Sequence, residues 1–101
     1  MGAALIVIWW RDVPAQVVAR EGRRTHKVVL EGRFQESIDR AAVRAGLSAT
    51  DAYLAEWRRS ERPCGDDLEA EAAGEAGRLE ASYSAADLAG LVAAGGRAPG
   101  A

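Results

Sequence analysis

The residues with the means to do chemistry here are one cysteine, one histidine, carboxylates beside turns, and tryptophans beside arginines. Cys64 stands in Arg62-Pro63-Cys64-Gly65-Asp66, a breaker just ahead of an expected helix. A helix N-terminus can lower a thiol pKa and make the sulfur nucleophilic. Nucleophilic catalysis also needs a base, and His26 lies on an expected strand far away in sequence. Asp66 and Asp67 push a nearby thiol the other way and are better suited to capping the helix than to acid catalysis. Cys64 is therefore expected to be an inert loop thiol. His26 is in phase with Val28 and Leu30, as a partly buried strand histidine would be. One Cys and one His do not make a typical zinc site, and Gly22, Gly32 and Gly46 are isolated, so no phosphate loop, metal or cofactor is expected.

The tryptophans and arginines point to binding. Trp9 and Trp10 adjoin, so a strand sends them to opposite faces, one into the core and the other under a helix or into solvent. Exposed Trp beside Arg is a common interface anchor. Trp10, Arg11, Asp12, Arg23 and Arg24 are the candidate partner-binding residues, expected as a patch near two turns. Asp12 also has a structural reading, because an Asx-type turn is natural ahead of Val13-Pro14.

The elements that must position these residues follow from periodicity. Ala4–Trp10 is an unbroken apolar run of strand length, rich in β-branched and aromatic types. A second strand over about 15–20 and a third over 25–30 are joined at the Glu21-Gly22-Arg23-Arg24 turn, which predicts a three-stranded antiparallel meander. That topology leaves the apolar first strand at an edge, to be covered by a helix or by a partner or second copy. Phe34, Ile38, Ala41, Ala42 and Ala45 make one stripe of a helix over about 33–45, with Gly46 at its C′ position. A second helix, opened by Ser48 and Asp51, is expected to run to about Ser60 with a basic end at Arg58, Arg59 and Arg62. Asp66-Asp67 opens a third helix with Leu68, Ala72, Ala76, Leu79 and Tyr83 in phase, and Ser84 with Asp87 opens a fourth.

At 101 residues and 49% hydrophobic, the chain fits one modest core. A net charge of −2 argues against nucleic acid as the partner. Residues 1–63 carry eleven Lys+Arg against eight Asp+Glu, net +3, whereas residues 64–101 carry two against seven, net −5. The lone cysteine, the short first apolar run and the missing basic leader predict a cytoplasmic protein with no membrane span.

Trp10-Arg11-Asp12-Val13-Pro14-Ala15-Gln16-Val17, Arg33-Phe34-Gln35-Glu36-Ser37-Ile38-Asp39-Arg40-Ala41-Ala42 and Asp51-Ala52-Tyr53-Leu54-Ala55-Glu56-Trp57 together resemble a small bacterial family, the virulence-factor domain. The resemblance covers about residues 4–60. It implies no set of catalytic residues. Relatives in which this domain adjoins an iron–sulfur-scaffold-like domain and HEAT-like repeats imply an assembly role. Stand-alone members imply, as an alternative, a small subunit of a folate- or corrinoid-dependent one-carbon enzyme, of methyl-transfer or methylenetetrahydrofolate reductase type.

The expectation is an α+β fold: a three-stranded antiparallel sheet with helices in a unit at 1–62, an acidic helical extension at 63–94 and a flexible tail at 95–101. The expected role is that of a non-catalytic accessory or adaptor, binding a protein partner or a second copy through the first-strand edge and the Trp10/Arg11 corner.

Overall fold

A computed structural model of the chain describes residues 2–47 and 51–99. The elements run β1 Ala3–Trp10, β2 Val13–Glu21, β3 Arg24–Val29, α1 Gly32–Arg44, α2 Asp51–Ala55, β4 Trp57–Cys64, α3 Leu68–Ser82 and α4 Ala85–Ala93. Two tight hairpins join the first three strands, closed by the pairs Trp10–Val13 and Glu21–Arg24. Gly22 supplies the left-handed backbone of the second turn, φ +61°. Between Ile8 and Trp9 the register of β1 on β2 shifts, so that Ile8 faces Gln16 and Trp9 faces Pro14. Ala15 is the extra residue of this bulge, and its carbonyl accepts from Leu30 N at 3.1 Å.

The sheet has four antiparallel strands in the order β3-β2-β1-β4, which corrects the three-stranded meander. The second helix ends at Ala55, and the stretch expected to continue it runs instead as β4, paired with β1 from Ala3–Cys64 to Trp10–Trp57. The first-strand edge is therefore covered by the chain's own β4, and not by a helix, a partner or a second copy. Every residue from Arg58 to Pro63 is exposed, so β4 has no buried face and shows no two-residue alternation to read. Pro63 is tolerated because β4 is an edge strand. The charge along this edge blunts further strand pairing.

One face of the sheet presents Leu5, Val7, Val17 and Ala19 to the core, with Leu68, Ala72, Ala76 and Leu79 of α3 above them. α3 packs on β2 and β3, while α1 packs on β2 and α4. Of the two helices expected as an acidic extension, α3 packs on the sheet and α4 on α1.

Local signals at the helix ends act as expected. Phe34, Ile38, Ala41 and Ala42 of α1 are buried. Gly46, at φ +74°, closes that helix in a Schellman turn: Gly46 N donates to Val43 O and Leu47 N to Ala42 O. Asp67 caps α3 by accepting from Ala70 N, and Ser84 with Asp87 forms a full capping box on α4. The Ser48 cap lies outside the described residues. Among the described residues no helix is long and apolar enough to cross a membrane.

Phe34 is fully buried, whereas Val29 is 64% exposed. Phe34→Ala is expected to cost about 3–5 kcal/mol in urea denaturation, through lost burial and the cavity left behind. Val29→Ala should stay within about 0.5 kcal/mol of the parent chain.

Candidate functional site

Trp10, Arg11 and Asp12 form the corner where β1 turns into β2, and their polar groups are directed inward. Trp10 is 0% exposed. Its Nε1–H donates to Tyr53 O at 3.0 Å, and its ring stacks on Tyr53 at 5.6 Å. Of the two adjoining tryptophans, Trp10 is thus the one in the core. Trp9, on the opposite side of β1, is half-buried; its Nε1–H donates to Ser60 Oγ at 2.9 Å and the Arg58 guanidinium lies over its ring.

Arg11 sits in the left-handed region at φ +52°, the only described residue other than glycine to do so. That conformation costs roughly 1–2 kcal/mol, and the contacts it makes possible offset the cost. Arg11 N donates to Glu56 O at 3.1 Å. Its Nε–H donates to Glu56 Oε1 at 2.7 Å, with the two side chains only 15% and 27% exposed, and its Nη1–H donates to Gly95 O at 3.1 Å. The Arg11 carbonyl accepts from Arg58 Nε at 2.8 Å.

Asp12 completes the junction. Its N–H donates to Gly96 O at 2.8 Å, its Oδ2 accepts from Ala98 N at 2.7 Å, and its Oδ1 pairs with Arg58 Nη2 at 3.2 Å. Arg97 Nη2 adds a second cation to Glu56 Oε1 at 3.2 Å. A Cβ on Gly96, at φ +94°, would come within 2.8 Å of Trp10 Cζ3, so only glycine fits there. Residues 96–98 are held here through Asp12, by its N–H to the Gly96 carbonyl and its carboxylate to the Ala98 N–H.

Arg23 and Arg24 do not join this corner. They lie at the other end of β2, whose nine residues extend about 30 Å. Arg24 pairs with Glu21 at 2.7 Å and reaches Asp66 O at 3.4 Å, while Arg23 is exposed in the turn. The five candidate residues therefore form two separate groups and not one patch.

The other candidate groups also take structural places. Cys64 is a free, half-buried thiol at the end of β4, on a strand and not in the expected loop. Burial raises its pKa, Glu71 and Glu21 add to the effect, and Arg62 opposes it. His26 is half-buried on β3 opposite Ala19, on the α3 side of the sheet. Burial likewise raises the Tyr83 pKa, with the Asp12 and Asp87 carboxylates adding and Arg58 opposing. Tyr83, Asp87, Leu91 and Ala98 line a cleft of about 440 Å³ beside α4. Among the described residues no group of three or more His, Cys, Asp or Glu is placed to hold a metal ion.

Sequence reasoning missed Glu56, Arg58 and residues 95–98 as partners of the corner. Those contacts span 41 to 86 positions along the chain, and no local pattern encodes them.

Asp12→Ala removes the acceptor for the Ala98 amide and is expected to cost about 1–3 kcal/mol. Gly96→Ala should destabilise at least as much. In both variants the Gly96 and Ala98 amides should lose protection in hydrogen exchange before the amides of β1 do. Because the Cys64 pKa is raised, the thiolate fraction at pH 8 is below that of an unperturbed thiol. Alkylation of Cys64 by iodoacetamide is therefore expected to be slower than that of a free cysteine peptide, and to accelerate as the pH rises.

No curated protein matches this chain, and no solved structure does. One family model does match, described as virulence factor, over residues 8–92. The matched span holds the Trp10-Arg11-Asp12-Val13-Pro14 corner and runs beyond residue 60 through α3 and nearly all of α4. The chain belongs to the virulence-factor family.

Proposed function

We propose that this protein is a non-catalytic accessory protein that acts by binding another protein, in the cytoplasm. The observation that carries this reading is the internal engagement of the corner. The Trp10 indole, the Arg11 guanidinium and the Asp12 carboxylate are each answered by another group of the same chain. A motif so arranged builds a fold and offers no side chain to a substrate. Of the candidate binding residues, Arg23 is exposed and available to a partner, whereas Trp10, Arg11 and Asp12 act by holding the shape of the surface.

Membership of a folate- or corrinoid-dependent one-carbon enzyme complex, as its small subunit, is the narrower form of this role. The test is affinity purification of the tagged chain from its native host, followed by size-exclusion chromatography and mass spectrometry. One protein is expected to co-elute at stoichiometric level. If that protein is a one-carbon enzyme whose activity needs this chain, the narrower form holds. Elution of the chain alone, under conditions that retain known complexes, would sink the accessory reading.

A further inference from the structure

We propose that the face of the sheet opposite α3 is the docking site for an acidic amphipathic helix of a partner protein. This rests on the accessory reading above and names its surface and the chemistry of its partner. The strand registers place two rows of side chains on that face: Lys27, Val18, Ile6 and Glu61 in one, Val29, Gln16, Ile8 and Arg59 in the next. Ile8, Val18 and Val29 neither belong to the core under the helices nor pack against it, whereas Ile6 between them is buried, 3% exposed. Ile8 and Val18 are half-buried, and Val29 is one of the three large hydrophobic residues most open to solvent among those described. The centre of the face is thus aliphatic.

Its margins are cationic. Lys27 stands on β3 and Arg59 on β4, the two outer strands, and among the described residues neither side chain has an ion-pair partner. The single carboxylate of the two rows, Glu61, pairs with Arg20 at 3.9 Å. Three strand spacings separate the outer strands by about 14 Å. A helix with its side chains is about 10–12 Å across. A helix lying along the strands would therefore set an apolar stripe on Ile8 and Val18 and bring acidic residues on its two flanks to Lys27 and Arg59. From Ala4 to Ile8, short of Trp10 and the Tyr53 ring stacked on it, β1 extends about 16 Å, the length of roughly 11 helical residues.

A second copy fits this face poorly. A two-fold axis in the plane of the sheet brings Lys27 over Lys27 or over the strand that carries Arg59, and like charges facing each other oppose pairing. Nucleic acid also fits poorly, because base stacking needs aromatic platforms and the two rows are aliphatic and polar.

The experiment places a photo-crosslinking residue, benzoylphenylalanine, at Val29 in the full chain expressed in its host. It compares the parent background with a Lys27→Glu/Arg59→Glu background. Both charged residues are exposed, so the double variant should fold, which circular dichroism checks. The expected product is a crosslink to one protein, within a segment of helical period that has an apolar stripe flanked by Asp and Glu. The double variant should lower its yield and the partner's affinity by about tenfold or more, and raised salt should do the same. A crosslink to this same chain, to nucleic acid, or to a segment without that acidic pattern overturns the proposal. So does a partner that the double variant binds as tightly as the parent. That last result leaves the accessory reading standing, whereas a parent chain that purifies alone removes the accessory reading itself.

Discussion

β1 is an apolar strand whose backbone must be hydrogen-bonded along both edges, and the rest of the chain is arranged around that requirement. Buried amide and carbonyl groups left without partners cost about as much as lost hydrogen bonds, and an open apolar edge also invites pairing between chains. One edge is closed locally, by the hairpin to β2. The other is closed by β4, which begins only at Trp57, after two strands and two helices have intervened. The return has to be accurate, because a one-residue slip of β4 would exchange its two faces. The corner sits at the point where this accuracy is set. Arg11 N to Glu56 O joins the end of β1 to the residue just before β4, and Arg58 then reaches back to the Arg11 carbonyl.

The same corner explains why an arginine occupies a strained backbone position. A glycine at residue 11 would take φ +52° at no cost but would leave Glu56 and the Gly95 carbonyl without the guanidinium that joins them. The side chain is needed more than the conformational ease. Gly96 shows the opposite balance, since the Trp10 ring leaves no room there for any Cβ. Backbone and side chain at these two sites therefore serve one junction by different means.

What could be read from the sequence follows the range of the interactions. The α1 stripe, the Gly46 closure and the Asp67 and Ser84 caps depend on residues within about four positions of each other, and all are found as expected. β4 could not be read in that way. Tyr53 and Trp57 are four apart, as on a helix, and their rings do meet at 6.1 Å, edge to face, yet a helix end and a strand start bring them together. The arginines after Trp57 are as consistent with a helix C-terminus as with a solvated edge strand, and only the vacant edge of β1 decides between them. The sequence leaves open which tryptophan is buried for a related reason. Alternation along β1 shows that Trp9 and Trp10 diverge, but which of them is covered depends on α2 and on residues 95–98, far away in sequence.

A family mark that is also a fold determinant separates two roles that are easily taken for one. The Trp10-Arg11-Asp12-Val13-Pro14 segment identifies the chain, yet its largest side chains lie inside and its polar atoms bind the chain itself. Its effect on the surface is then indirect: it fixes the register of β4 on β1, and that register sets how far apart Lys27 and Arg59 stand and which side chains lie between them. The outward residues of β3 and β4 carry almost none of the packing, so their identities can differ without disturbing the core. The constraint of the fold thus falls on the corner and the β1 register, and leaves the outer face of the sheet free to vary.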